Sequence, residues 1–305
     1  MAKNKRREEG GISRLSQRRT LVAVLTIVLV ISAISAISWF LLRPQPLHFS
    51  MNAVIVDQLS LDFPNSTFVN SATDMLKDYG FDVSYVFNQS VTVDFFHGLA
   101  KGNYGIIVLR THTAMRNESD VKTVDIFTSE LFSSSKHTDE LDSGQLVKGI
   151  LTYSGEKEYF AVTSEFIKSL DGSFPKSIVF MMGCWSNKAQ YDQVAREFIS
   201  KGATVCTGWS EMVSPEKTDS ETMKLISSVL QNETIQHARD QTQSYVYFDE
   251  KGNKVESLVR LYPQTSEAAG LRLSDLVSES QDSVGFAIVV RRIIVRKGWV
   301  DWLAF

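Results

Sequence analysis

Beyond Met51 the chain alternates short apolar runs with stretches of helical period. Ala53–Val56 predicts a first strand. Ser66–Asp78 predicts a helix stopped by Gly80 at a C-cap position. Phe81–Phe87 predicts a second strand, Val91–Leu99 a helix closed by Gly102, and Tyr104–Leu109 a third strand. The stretch 111–160 reads as irregular, with a small hairpin near Thr123–Phe127. Ser164–Leu170 then predicts a helix, Ser177–Met182 a strand, Ala189–Ser200 a helix and Ala203–Gly208 a fifth strand. Two more helices are expected at Thr218–Leu230 and Thr234–Thr242. Strands apolar at consecutive positions, interleaved with helices, are the mark of a mostly parallel sheet covered on both faces. The expected fold class is therefore α/β.

The pattern changes at both ends. After Gln243, Tyr245–Phe248 and Ser257–Tyr262 read as a pair joined across Glu250–Asn253, and Val284–Val295 as an outer strand. At the other end, Thr20–Leu42 is 23 residues without a charge, 18 of them apolar. As a helix it would be roughly 34 Å long, enough for a bilayer core of about 30 Å. An uncleaved anchor is favoured over a cleaved signal peptide because the run is longer than a signal core. The expected division is a basic tail (1–19), an anchor (20–42), a linker (43–50), an α/β domain (51–243) and a β-rich extension (244–305).

Charge orients the anchor. Residues 1–19 carry seven Lys/Arg and two Glu, while Arg43 is the one basic residue closely following the span. The positive-inside rule puts the N-terminus in the cytoplasm and the main domain outside a cell membrane, as a single-pass protein. Beyond residue 19 there are 25 basic and 33 acidic side chains, which argues against nucleic acid as a partner. Sequons at Asn65, Asn88, Asn117 and Asn232 fit an exported glycoprotein. The five His have no zinc-hydrolase spacing, and two Cys exclude an all-Cys zinc site, so no metal is expected.

Two reactive residues fall at predicted strand ends. The third strand runs into Arg110-Thr111-His112, the fourth into Met182-Gly183-Cys184. In a parallel sheet, chemistry collects at the carboxyl ends of strands. If these two strands are neighbours, a thiol and an imidazole emerge on one rim. A nearby imidazole can take the thiol's proton and return it to a leaving amine. A disulfide between Cys184 and Cys206 is disfavoured, because their positions along neighbouring strands differ by about 10 Å.

A strand ending in His and a later strand ending in Gly-Cys, with Val194–Ile199, Lys201-Gly202-Ala203 and Cys206–Ser210 following in order, resembles the caspase-like cysteine peptidases of clan CD. Clostripain, the gingipains and CHAT domains belong to that group. The likeness covers roughly residues 53–242. It implies a caspase-like sheet, a Cys184 nucleophile, a His112 base and a thioester intermediate, with no cofactor. The backbone amides of Thr113 and Cys184 would form the oxyanion hole, although the family usually has Gly where Thr113 stands. The implied partner is a protein or peptide substrate. In several members an acidic residue selects basic side chains at the substrate's P1 position; Glu211 and Asp219 are the candidates, with surface solvation as their other reading. Trp185 and Trp209 would wall the cleft or pack a loop on the sheet. Arg110 and Arg116 flank His112 and read as structural partners or as selectors of acidic substrates. The alternative to a peptidase is an inactive domain of the same fold that binds a protein or peptide. The oligomeric state stays open.

Overall fold

The protein is described from a computed structural model. It covers residues 48–118, 121–151 and 155–278, together with 22, 24–35 and 38–39. The chain divides into two compact units, Met1–Pro46 and Leu47–Phe305. In the first, the described residues are helical. Among the described residues no helix is long and apolar enough to cross a membrane, and the expected span of 20–42 lies partly outside them. The expected tail (1–19) and the outer strand Val284–Val295 lie wholly outside.

The second unit is built on a six-stranded sheet ordered β2-β1-β3-β8-β9-β12. Its strands are β1 (Asn52–Asp57), β2 (Asp82–Phe87), β3 (Ile106–Arg110), β8 (Ile178–Met181), β9 (Val205–Trp209) and β12 (Val259–Tyr262). All neighbours are parallel except β12, which runs antiparallel to β9. The central strands are apolar at every position because both faces are covered. Alternation then divides their side chains. Ile55, Val108 and Phe180 join one core with Phe68, Leu76 and Leu225 of helices α1 (Ser66–Tyr79) and α6 (Pro215–Leu230). Val56, Leu109 and Met181 join the other with Phe96, Phe166 and Phe198 of α2 (Val93–Leu99), α4 (Ser164–Ser169) and α5 (Gln193–Ser200). Gly80 ends α1 at φ 113°, as the sequence predicts.

Three expectations are corrected. The stretch 111–160 is not irregular: β4 (Thr113–Glu118), β5 (Val121–Leu131), β6 (Leu146–Leu151) and β7 (Lys157–Val162) form an antiparallel sheet ordered β4-β5-β7-β6, with a short helix α3 (Thr138–Asp142) between β5 and β6. This sheet lends Ile126, Leu146, Phe160 and Val162 to the second core. Phe127, Leu151, Tyr159 and Ala161 form a small core on its other face, and polar residues such as Asp125 and Thr128 are buried among the apolar ones, so its strands mix polar and apolar positions. Tyr245–Phe248 (β10) pairs with β11 (Lys254–Ser257), not with the run ending at Tyr262. That run is β12, whose apolar positions Val259 and Leu261 complete the main sheet. Helix α5 starts at Gln193 rather than Ala189. The short α7 (Ile235–Asp240) forms as expected, and α8 (Ser266–Gly270) follows β12.

Candidate active site

Strand order reverses direction beside β1, whose neighbours are β2 on one side and β3 on the other. Such switch points leave a crevice at the carboxyl ends of the strands. A cavity of about 210 Å³ lies there. Leu59 and Phe63, which follow β1, contribute to its wall. So do Thr111 and His112 after β3, and Met182, Gly183 and Cys184 after β8. Strands β3 and β8 are neighbours in parallel register, with Leu109 opposite Met181. His112 and Cys184 are each the third residue beyond that matched pair, so both reach the same cavity. This is the convergence the two strand-end motifs predict.

The main chain holds both residues from several directions. The His112 N–H donates to Gln58 Oε1 at 2.8 Å, and its carbonyl accepts from Phe127 N at 3.0 Å. The ring packs edge-on to Phe63 and Phe127, with Asp62 Oδ2 3.9 Å from Nε2. Cys184 Sγ lies 3.5 Å from both the amide nitrogen and the carbonyl oxygen of Val213. The Thr113 hydroxyl donates to the Cys184 carbonyl, which clamps β4 to the turn after β8.

Gly183 sits where these elements meet. A β-carbon there would stand 2.7 Å from the Thr111 carbonyl oxygen and would overlap the Thr113 side chain. Gly183→Ala is therefore expected to push the Thr111–Thr113 segment away from Cys184. The clash is with main chain and a clamped side chain, so Gly183→Ala is expected to be destabilising by about 1–3 kcal/mol; thermal unfolding checks this, and an unchanged Tm would contradict it.

The Thr113 amide is placed by β-ladder geometry. Thr113 pairs with Ile126 at a site where the flanking His112 carbonyl, not Thr113 itself, bonds β5. Alternation then turns the Thr113 N–H away from β5. Glycine is not needed at this position to free that donor.

Burial controls the protonation of the pair. It pulls the His112 imidazole down to about 4; Asp62 opposes this and Arg110 reinforces it. Burial also pushes the Cys184 thiol up, against the amides of Val213 and Cys184 itself, which favour the thiolate. At neutral pH the resting pair is a neutral thiol beside a neutral imidazole, which suits proton transfer during attack rather than a preformed ion pair.

Beneath the cavity lies a knot of charge that the sequence did not reveal as a unit. Arg110, fully buried, bonds Asp57 Oδ1 at 2.6 Å and both Asp219 oxygens at 2.7 and 2.8 Å. Asn65 donates to Asp219 and Tyr85 to Asp57. Asp219 is thus no substrate selector: it is buried, and its carboxylate is occupied by Arg110 and Asn65. Nor does Trp209 wall a cleft. It is 1% exposed, and its indole N–H donates to Thr218 in the core. Arg110 and Arg116 are structural, the latter paired with Asp125. Glu211 is paired with Lys188. Trp185 is half-buried, in a left-handed turn at φ 55°, with its amide bonded to the Glu211 carbonyl.

Cys206 opposes Val179 in the β8–β9 register, five positions below Cys184, and both thiols are free. Asn65 caps α1 through Phe68 N. Asn232 Oδ1 accepts from Ser274 N. Asn88 is exposed. The Asn117 side chain lies outside the described residues. Among the described residues no group of three or more His, Cys, Asp or Glu is placed to hold a metal ion. Gln58 and Asp62 escaped the sequence reading, although both lie just beyond the first apolar run, where such a sheet puts its ligands. No family model matches the chain, and no curated protein matches it.

Proposed function

We propose that this chain is an outward-facing cysteine peptidase of caspase-like type, anchored in a membrane through residues 20–42 with its N-terminus in the cytoplasm. One observation carries the reading: a thiol and an imidazole, each three residues beyond paired positions of adjacent parallel strands, open on one cavity. The ordered motifs that resemble clan CD add to it. The anchor rests on the uncharged run and the basic flank before it. Glycans are best accommodated at the exposed Asn88.

In this reading the peptide carbonyl enters above Cys184. The sulfur–carbon bond forms while the thiol proton passes to His112. The carbonyl oxygen takes the negative charge and is held by the amides of Thr113 and Cys184. The carbon–nitrogen bond then breaks, His112 protonates the leaving amine, and a thioester remains. Water, deprotonated by His112, attacks the thioester and restores the thiol.

The base must be neutral to act. Because burial holds His112 at about 4, the active form is complete at pH 6 and is lost as pH falls through about 4. The acid limb of kcat/KM is expected there rather than near 6.5, the ordinary histidine value. The test of the function itself is cleavage of a random peptide mixture by the full chain, with new N-termini read by mass spectrometry. Cuts made by wild type and absent from Cys184→Ala are expected. No cuts, or the same cuts in both, would favour the second reading, an inactive peptide-binding domain. That alternative draws on the upward push that burial gives the Cys184 thiol.

A further inference from the structure

The cavity beside Cys184 has walls that bear on substrate choice. Leu59, Phe63, Met182, Val213 and Pro215 line it, and among the described residues no Asp, Glu, Lys or Arg does. Of the charges near it, Arg110 and Asp219 are bonded to each other, and the Asp62 carboxylate stands behind the wall, 3.9 Å from His112 Nε2. His112 is neutral at physiological pH. A charged group entering this space would lose its water and meet no counter-ion on these walls, which disfavours it. At about 210 Å³ the space is smaller than the roughly 300–1,000 Å³ of a pocket for a drug-sized ligand, so it suits one side chain.

We infer that this cavity receives the P1 side chain of the substrate and selects an uncharged one of leucine or methionine size. The inference rests on the peptidase reading and narrows it to a substrate class. It also replaces the expectation that an acidic residue selects a basic P1, since Asp219 is buried beneath the cavity and Glu211 is paired outside it.

The experiment is hydrolysis of a fluorogenic peptide series, identical but for P1, by the full-length chain. Leucine, methionine, lysine and aspartate are compared, with the random peptide mixture as a parallel substrate. Leucine or methionine is expected to exceed lysine and aspartate in kcat/KM by roughly 100-fold or more. Lysine or aspartate hydrolysed as fast as leucine would overturn the inference and leave the peptidase reading standing. Cleavage of neither the series nor the mixture would overturn both. A second arm uses Val213→Asp, which brings a carboxylate to the cavity wall. It is expected to raise the lysine-to-leucine ratio by about tenfold. A folded Val213→Asp protein with an unchanged ratio would place P1 elsewhere and overturn the inference.

Discussion

Arg110→Met is expected to destabilise the domain strongly. Breaking a buried ion pair by removing one partner costs about 3–5 kcal/mol, and here two carboxylates lose the same guanidinium. The Phe63 carbonyl loses its donor as well. For a domain of this size, a loss of that order lowers Tm by roughly 6–20 °C. Thermal unfolding of the full chain measures it. Removing the charge from both sides separates electrostatics from packing: adding Asp57→Asn and Asp219→Asn to Arg110→Met should restore part of the loss. The single variant should also recover on acidification. Burial already pushes the Asp57 carboxyl up, and without Arg110 its neutral form is favoured further, so the native state takes up protons as pH falls. A change in stability below about 1 kcal/mol, the range of an exposed pair, would show that the knot does not hold the strand ends together.

The second large effect is on rate. On the proposed mechanism, Cys184→Ala removes the atom that would form the acyl bond and is expected to lower kcat on the order of 10⁵-fold. His112→Ala leaves the sulfur in place but removes the proton carrier, with an expected loss of roughly 10²–10⁴-fold. The double variant should be no slower than Cys184→Ala alone, because the two residues act as a unit. Melting curves of the two single variants should stay near wild type, since both side chains face the cavity. A His112→Ala protein with undiminished kcat would remove the imidazole from the chemistry.

Much of the sheet could be read from the chain. Ala53–Val56, Ile106–Leu109 and Ile178–Met181 are apolar at consecutive positions because both faces of the sheet are covered, and their shortness and β-branched content favour strand over buried helix. The antiparallel sheet of 113–162 was hidden for the opposite reason. Its strands carry Arg116, Asp125 and Lys148 among apolar residues, a pattern shared with loops. The site was legible where it lies next to a strand end, as at His112 and Cys184. The knot was not, because Asp57, Arg110 and Asp219 come together across 53 and 109 residues. Nothing local marks Asp219 as buried; it lies on an amphipathic helix beside exposed Ser220. Trp209 misled for a related reason: its place at a strand end suggested a cleft, but the strand alternation turns its ring into the core with Val205.

The clamp between Thr113 and Cys184 spans 71 residues of sequence. The site therefore does not exist in any local stretch of chain. It arises only when β3 and β8 have found each other across the whole intervening antiparallel sheet. Closing a loop this long is only modestly dearer than closing a short one, about 0.6 kcal/mol for each doubling, but it is slow, since pairings distant in sequence form late. A newly made chain consequently passes through a period in which it is partly folded and chemically silent, with its thiol and its imidazole on separate pieces of structure. The cavity arrives in one step with long-range strand pairing, so on the proposed reading any reactivity appears only with the folded sheet.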